Sequence, residues 1–406
     1  MAQVARARYQ CWISWQAYNL GLLTFDSSLF DGADVFAVSP LDATFEGTYD
    51  DVSARMRRAS WARGRSNNRD TVLAGDATLD LRDPTGIFNP DNPLSPLYGQ
   101  LEDRLHPVKL VATFAGVTYP LFYGWTRRFK WEPQGRRGIT SVECVDLFYW
   151  LKRVKPIIAA TGSTTTGAAI GKILDAAGLT DPALRDLNTG DTIPDFSADG
   201  TKDGLTLIED LLESERGVFY AAGSGKATFR SRLARLQMDS VGTINDRMTA
   251  LAPGVDFESA YTRVTVRRTQ NAFTAVATSD AATIQRLGYV DLPLIETAYL
   301  SSDAQATDLA AHVLAQVVTP RPPIYGYRLD NREADLLTHV LARELVERFT
   351  TSEAIGGTDG DFHIDRMQHT VERRRHTVNW LLSRASGAAP LEFDKSLFDG
   401  QDVFVY

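Results

Sequence analysis

The sequence predicts a mainly β protein of the α+β class, with one small α+β unit set among the strands. Three observations carry that expectation. Between residues 50 and 150, short alternating or aromatic runs are separated by turn signals at roughly 8–12-residue intervals, the rhythm of a barrel or sandwich. Near residue 155 the composition changes, and two amphipathic helical patterns follow. After residue 260 strand patterns return, with one further helix among them.

Taken in order, Cys11-Trp12-Ile13-Ser14-Trp15 is aromatic and β-branched and reads as a strand, and Asp31-Gly32 reads as a turn. The arginine-rich stretch from Arg55 to Arg69 is not needed for a core. It reads as a solvated strand face or loop, or alternatively as a salt-bridging surface for an acidic neighbour. Ala77 to Leu81 alternates, and a loop rich in Pro, Gly and Asn follows from Asp83 to Pro93. Val108 to Phe114, Tyr119 to Phe122, Trp125 to Trp131 and Ile139 to Cys144 read as separate strands.

Gly167 to Ala177 then reads as a helix, preceded by Thr164, Thr165 and Thr166 and stopped by Gly178. Lys202 to Ser214 places Leu205, Ile208, Leu211 and Leu212 on one helical face. Val218 to Tyr220 and Ala227 to Phe229 flank Gly223-Ser224-Gly225 as a hairpin. Strands resume at Ala260 to Arg267 and Ala272 to Thr278. Ser302 to Val318 is a helix stopped by Pro320. Leu345 to Thr350, Phe362 to Val371 and His376 to Ser383 close the pattern as strands.

One feature lies outside this pattern. Residues 25–36, Phe-Asp-Ser-Ser-Leu-Phe-Asp-Gly-Ala-Asp-Val-Phe, return near the other end as residues 393–404, Phe-Asp-Lys-Ser-Leu-Phe-Asp-Gly-Gln-Asp-Val-Phe. A single distant duplication has no solenoid period. It points to two places in one assembly that present the same surface. Phe25, Leu29, Phe30, Val35 and Phe36, with Phe393, Leu397, Phe398, Val403 and Phe404, are the candidate docking residues, while the intervening aspartates stay wet.

The totals narrow the function. At roughly 100–200 residues per domain, 406 residues predict two to four domains. A net charge of −8 argues against a general nucleic-acid binder, which carries a basic face. Cys11 and Cys144 are the two cysteines; they make no disulfide framework and no CxxC motif, so reduced thiols are expected. No run approaches the ~20 apolar residues of a membrane span. The first residues lack the apolar core and cleavage site of a signal peptide.

Catalytic and ligand motifs are wanting. Gly223-Ser224-Gly225-Lys226 lacks the earlier glycine and the Ser/Thr of a phosphate loop, with Tyr220 and Ala227 in those places, and lies in a hairpin. His363, His369 and His376 with Asp361 and Asp365 do not have metal-ligand spacing, and exposed histidines on a strand are expected instead. The repeat aspartates, Asp26, Asp31, Asp34, Asp394, Asp399 and Asp402, do not follow the spacing of a calcium loop. No nucleophile elbow or carboxylate pair stands out. The sequence therefore offers no catalytic residue, cofactor or metal site, and a non-enzymatic role is expected.

Arg63-Gly64-Arg65, the strand led by Gly75-Asp76 and running to Leu81, the Asn89-Pro90-Asp91-Asn92 loop, and Leu121-Phe122-Tyr123-Gly124-Trp125 follow one another in a characteristic order. With Tyr261 to Val266, Ser279 to Tyr289, the helix at 302–318 and His376 to Trp380, they resemble the baseplate-hub and minor tail proteins of long-tailed, siphovirus-like actinobacterial bacteriophages. The resemblance implies a trimer with two β-barrel-type domains per subunit. Six such domains would continue a hexameric tail tube and hold a central spike or fibre at the other end.

The implied division is an N-terminal β arm over 1–50, a first barrel-type domain over 51–152, an α+β domain over 153–253, a second barrel-type domain over 254–385 and a C-terminal arm over 386–406. Implied partners are copies of the chain itself, distal tail or tail-tube ring proteins, the spike or fibre, and the tape-measure protein. DNA would pass without specific binding. The implied location is the tail tip of a virion assembled in the bacterial cytoplasm. The two alternatives are a minor tail protein that binds a host receptor or cell-wall sugars, and a tail-associated peptidoglycan hydrolase.

Overall fold

A computed structural model describes residues 6–15, 49–65, 73–102, 105–133, 138–255, 257–319, 324–373 and 375–385. Both copies of the repeat lie outside them. The architecture is mainly β, as the alternation predicts.

Twelve strands form one large sheet. Its order is Ser240–Asn245, Arg348–Ser352, Gly360–Glu372, Met56–Gly64, Leu73–Arg82, Ile139–Val145, Val117–Glu132, Pro107–Phe114, Arg8–Ile13 and Asp50–Asp51. Arg375–Arg384 returns along Gly360–Glu372 and carries Ile324–Asp330 on its other side. Gly360–Glu372 is the strand that unites the sheet. Its first residues pair with Arg348–Ser352, and Arg366 to Glu372 pair with Arg58 to Gly64. Strands from both sides of the insert therefore share one hydrogen-bonded sheet.

The expected separate strands at 119–122 and 125–131 are one strand, Val117–Glu132. Gly124 lets it run on. A Cβ there would lie 2.2 Å from the Val145 carbonyl oxygen, so a side chain would push the two strands apart. Ile324–Asp330 and the helix Ala334–Ala342 are additional elements that the sequence reading does not include. The helix buries Leu336, Leu337, Val340 and Leu341, spaced as one helical face.

The insert holds the helices Thr166–Ala176 and Gly204–Glu215 beside a three-stranded sheet of Arg185–Leu187, Ala227–Arg230 and Val218–Ala221. The Thr165 hydroxyl accepts from the Ala168 N–H, and the Asp203 carboxylate from the Thr206 N–H. Each such cap contributes about 1 kcal/mol. A third unit pairs Arg263–Arg268 with Thr274–Thr278 and Ile295–Thr297. The helix Asp303–Val317 packs there, burying Leu309, Ala310, Val313 and Val317. No described helix is long and apolar enough to cross a membrane.

Candidate functional site

Antiparallel strands with one face on a core leave the other face to solvent. In the large sheet, Trp61, Leu79, Val142, Cys144, Met367 and Val371 are buried. Their alternate neighbours form polar rows across the strands. One row runs Thr377, Thr370, Ser60, Thr78, Glu143 and Arg128. The next runs Arg375, Glu372, Arg58, Asp80, Ser141 and Lys130.

The second row alternates in sign over its first four members. Opposite charges in register across strands attract, at about 0.2–1 kcal/mol per pair. Ser141 donates to Asp80 at 3.0 Å, and Glu143 receives Arg127 at 2.7 Å and Arg128 at 3.4 Å. The Arg127 bond, ahead of other causes, holds the Glu143 carboxyl below its ordinary range. Five strand spacings of about 4.8 Å make the rows about 24 Å wide. The result is a broad, wet wall carrying both signs, with no unbroken cationic stripe to grip a phosphate backbone.

The loop between Leu73–Arg82 and Pro107–Phe114 is fixed to this sheet by a buried carboxylate. Asp83 accepts from the Ile87 and Phe88 N–H groups at 2.7 and 3.0 Å and from the Thr140 hydroxyl at 2.9 Å. Asn92 donates to the Thr85 and Gly86 carbonyls. This firm loop nevertheless exposes Leu94 (91%) and Tyr98 (55%), an apolar tip available to a neighbour.

The histidines expected to be exposed are buried. His363, His369 and His376 are 6%, 2% and 0% accessible. His369 and His376 turn toward the buried face with Trp61, and all three histidines have polar partners in place of water. Tyr9 Oη lies 2.8 Å from His376 Nδ1, and His376 Nε2 lies 2.9 Å from His369 Nδ1. A donating Tyr9 hydroxyl makes His376 an Nε2–H donor to His369, so one set of tautomers satisfies the chain. His369 also stacks on Trp61, with ring centroids 4.7 Å apart. Burial holds His376 down to about 3 and His369 well below its ordinary value. His363 Nδ1 lies 2.9 Å from the Val346 carbonyl, and burial brings His363 to about 4.

The acids named with these histidines are also engaged. Asp361 receives Arg348 and the Thr350 hydroxyl, and Asp365 receives Arg65. Arg63 and Arg65 are buried rather than solvated. Arg63 donates to the Ala221 carbonyl and to Glu344 at 2.7 Å. The acidic partners here belong to the chain itself, while Arg57 and Arg58 face solvent as expected. Among the described residues no group of His, Cys, Asp and Glu could hold a metal ion.

Gly223 to Lys226 lie in the expected hairpin, where the Gly223 N–H donates to Glu344 at 2.9 Å. Cys11 and Cys144 are free and buried. Burial raises both thiols, Cys11 to about 12. The candidate docking residues Phe25, Leu29, Phe30, Val35, Phe36, Phe393, Leu397, Phe398, Val403 and Phe404 lie outside the described residues. The six repeat aspartates do as well.

A cleft of about 520 Å³ opens where the insert meets the Arg263–Arg268 unit. Arg65, Arg216 and Arg235 line it together with apolar side chains including Phe219, Leu292, Leu294 and Val317.

No protein-family model matches this chain, and no curated protein sequence does. Solved structures do. The 43 kDa tail protein of prophage MuSo2 from Shewanella oneidensis has a TM-score of 0.53 at 12% identity, over 84% of this chain and 95% of that one. The tail protein from Neisseria meningitidis MC58 has a TM-score of 0.56 at 12% identity, over 83% of this chain and 94% of that one. Identities this low carry the fold alone: this chain has the fold of these two tail proteins.

Proposed function

We propose that this chain is a structural, non-enzymatic protein of a bacteriophage tail tip. In this reading it forms a homotrimeric baseplate hub of a siphovirus-like particle with an actinobacterial host. It joins the sixfold tail-tube or distal tail ring to a threefold spike or fibre and meets the tape-measure protein. The segments 51–152 and 254–385 act as the two barrel-type units, 153–253 is the insert, and 1–50 and 386–406 are the arms. Assembly takes place in the bacterial cytoplasm.

The observation that carries the proposal is the polar wall on a sheet whose fold is that of two tail proteins. A tail-tip channel must pass a polyanion without holding it. A surface of interleaved charges suits that task better than a basic one. The wall is assigned to the channel, and the firm loop with Leu94 to a subunit contact. The two repeat copies are docking segments. In a trimer they number six, matching a sixfold ring.

Native mass measurement with negative-stain imaging at high protein concentration tests the proposal. A three-chain ring with a central opening is expected. A chain that stays monomeric in the presence of its ring partner would overturn it.

A further inference from the structure

The cleft beside the insert has an unusual floor. Arg65 is held by Asp365 at 2.8 Å, whereas Arg235 reaches Asp365 only at 3.9 Å and Arg216 reaches Glu213 only at 3.8 Å. The Nε groups of Arg216 and Arg235, and Oδ2 of Asp365, have no hydrogen-bond partner. Two guanidinium groups thus share one fully buried carboxylate, with Arg216 lining the same cleft, below an apolar wall on which Leu294 is half exposed. Burial, then the neighbouring Arg65, pulls Arg235 down to about 10. Arg216 and Arg235, each short of a close carboxylate, are completed by carboxylates arriving with apolar groups. The mouth is different: helix Gly204–Glu215 brings Glu209, Asp210 and Glu213, with Asp210 bonded to Lys202.

We propose that in the unassembled protein this cleft is the seat of the chain's own C-terminal repeat copy, residues 393–404. That segment offers Phe393, Leu397, Phe398, Val403 and Phe404 to the wall and, in place of the wet aspartates the sequence suggests, Asp394, Asp399 and Asp402 to the arginines of the floor, with Lys395 for the acidic mouth. The chain ends its described course in the right place. The Ala385 N–H donates to the Asp361 carbonyl at 2.9 Å, on the strand that carries Asp365. Four residues along a strand span about 13 Å. The eight steps from Ala385 to Phe393 reach up to about 26–29 Å. The N-terminal copy starts elsewhere, beyond Trp15, which packs on Phe88 and His106. The inference rests on the reading of the repeat as a docking segment: the seat holds this arm until a ring partner competes for it.

Paired cysteines in the full chain test the seat. Gln316→Cys lines the cleft, and Gln401→Cys replaces a position that differs between the two copies. The native cysteines are buried. Under mild oxidation, most molecules should form an intrachain 316–401 disulfide, identified by peptide mass. Adding Phe398→Ala with Asp399→Asn should lower the yield several-fold, and so should Arg235→Gln or an excess of synthetic peptide 391–406. A yield no higher than that of a Leu94→Cys, Gln401→Cys control would overturn the proposal. So would predominantly interchain linkage, which would make the occupant a second copy. The experiment is read on the isolated chain, so failure to form a trimer leaves its outcome interpretable.

Discussion

The two faces of the large sheet obey one alternation and meet opposite demands. On the buried face, Trp61, Trp380 and Tyr327 fill space, and groups such as the Tyr327 hydroxyl and the His376 ring bond inside the protein. On the other face, Glu372 and Arg58 stand in water, and half-buried Asp80 accepts from Ser141. Packing sets the shape of the wall, while its charges lie on the side that packing leaves open.

The largest expected effect is on the buried face. Trp380→Ala removes a ring packed against Tyr327 and Phe349 and should cost about 3–5 kcal/mol, read from urea unfolding. Gly124→Ala should come next, about 1–3 kcal/mol, because the new Cβ meets backbone rather than a yielding side chain. Tyr9→Phe leaves His376 Nδ1 buried without its hydroxyl partner and should cost about 1–3 kcal/mol. Thr370→Ala, on the same strand but the wet face, should stay within about 0.5 kcal/mol. A loss at Thr370 equal to that at Tyr9 would erase the contrast between the faces.

Acid should sharpen it. His312, His363, His369 and His376 all have values lowered by burial, to about 3, about 4, well below the ordinary value, and about 3 respectively. The unfolded chain takes up these protons near pH 6.5 while the fold refuses them. Stability is therefore full above about pH 6.5 and falls as pH drops toward 4, by up to about 1.4 kcal/mol per pH unit for each histidine. Asp146 acts in the opposite sense. Burial raises it to about 7, so its contribution is present below its unfolded value and lost as pH rises through about 7. Unfolding midpoints between pH 7.5 and 4.5 should fall on balance. A flat profile would contradict the buried assignment of the histidines.

The alternation, the hairpin at Gly223 to Lys226 and the three long helices were legible because their signals are local. Capping residues and apolar spacing lie within one turn or one strand pair. The histidines were misread because a strand's period tells which residues share a face, not which face is buried. The burial is set by packing from distant parts of the chain: Tyr9, the partner of His376, lies 367 positions away from it. Arg63 and Arg65 likewise find Glu344 and Asp365 across the fold, partners no local window contains. The helix Ala334–Ala342 did carry a readable signal in Leu336, Leu337, Val340 and Leu341. The polar wall was hidden for a different reason: its rows exist only once six strands are in register.

A chemical test of the wall follows from that register. Replacing Asp80 and Glu372 with Lys would join Arg58 and Arg375 into a continuous cationic row. The variant should retain duplex DNA at low salt and release it as salt rises, with the native chain retaining little. Equal retention by both would separate the wall from any role toward DNA.

The most direct measurement is an electron cryo-microscopy map of the assembled ring at a resolution that traces strands. Three chains are expected, with the row through Arg375, Glu372, Arg58 and Asp80 facing the central opening. A ring that turns this row outward, with another surface lining the channel, would contradict that expectation.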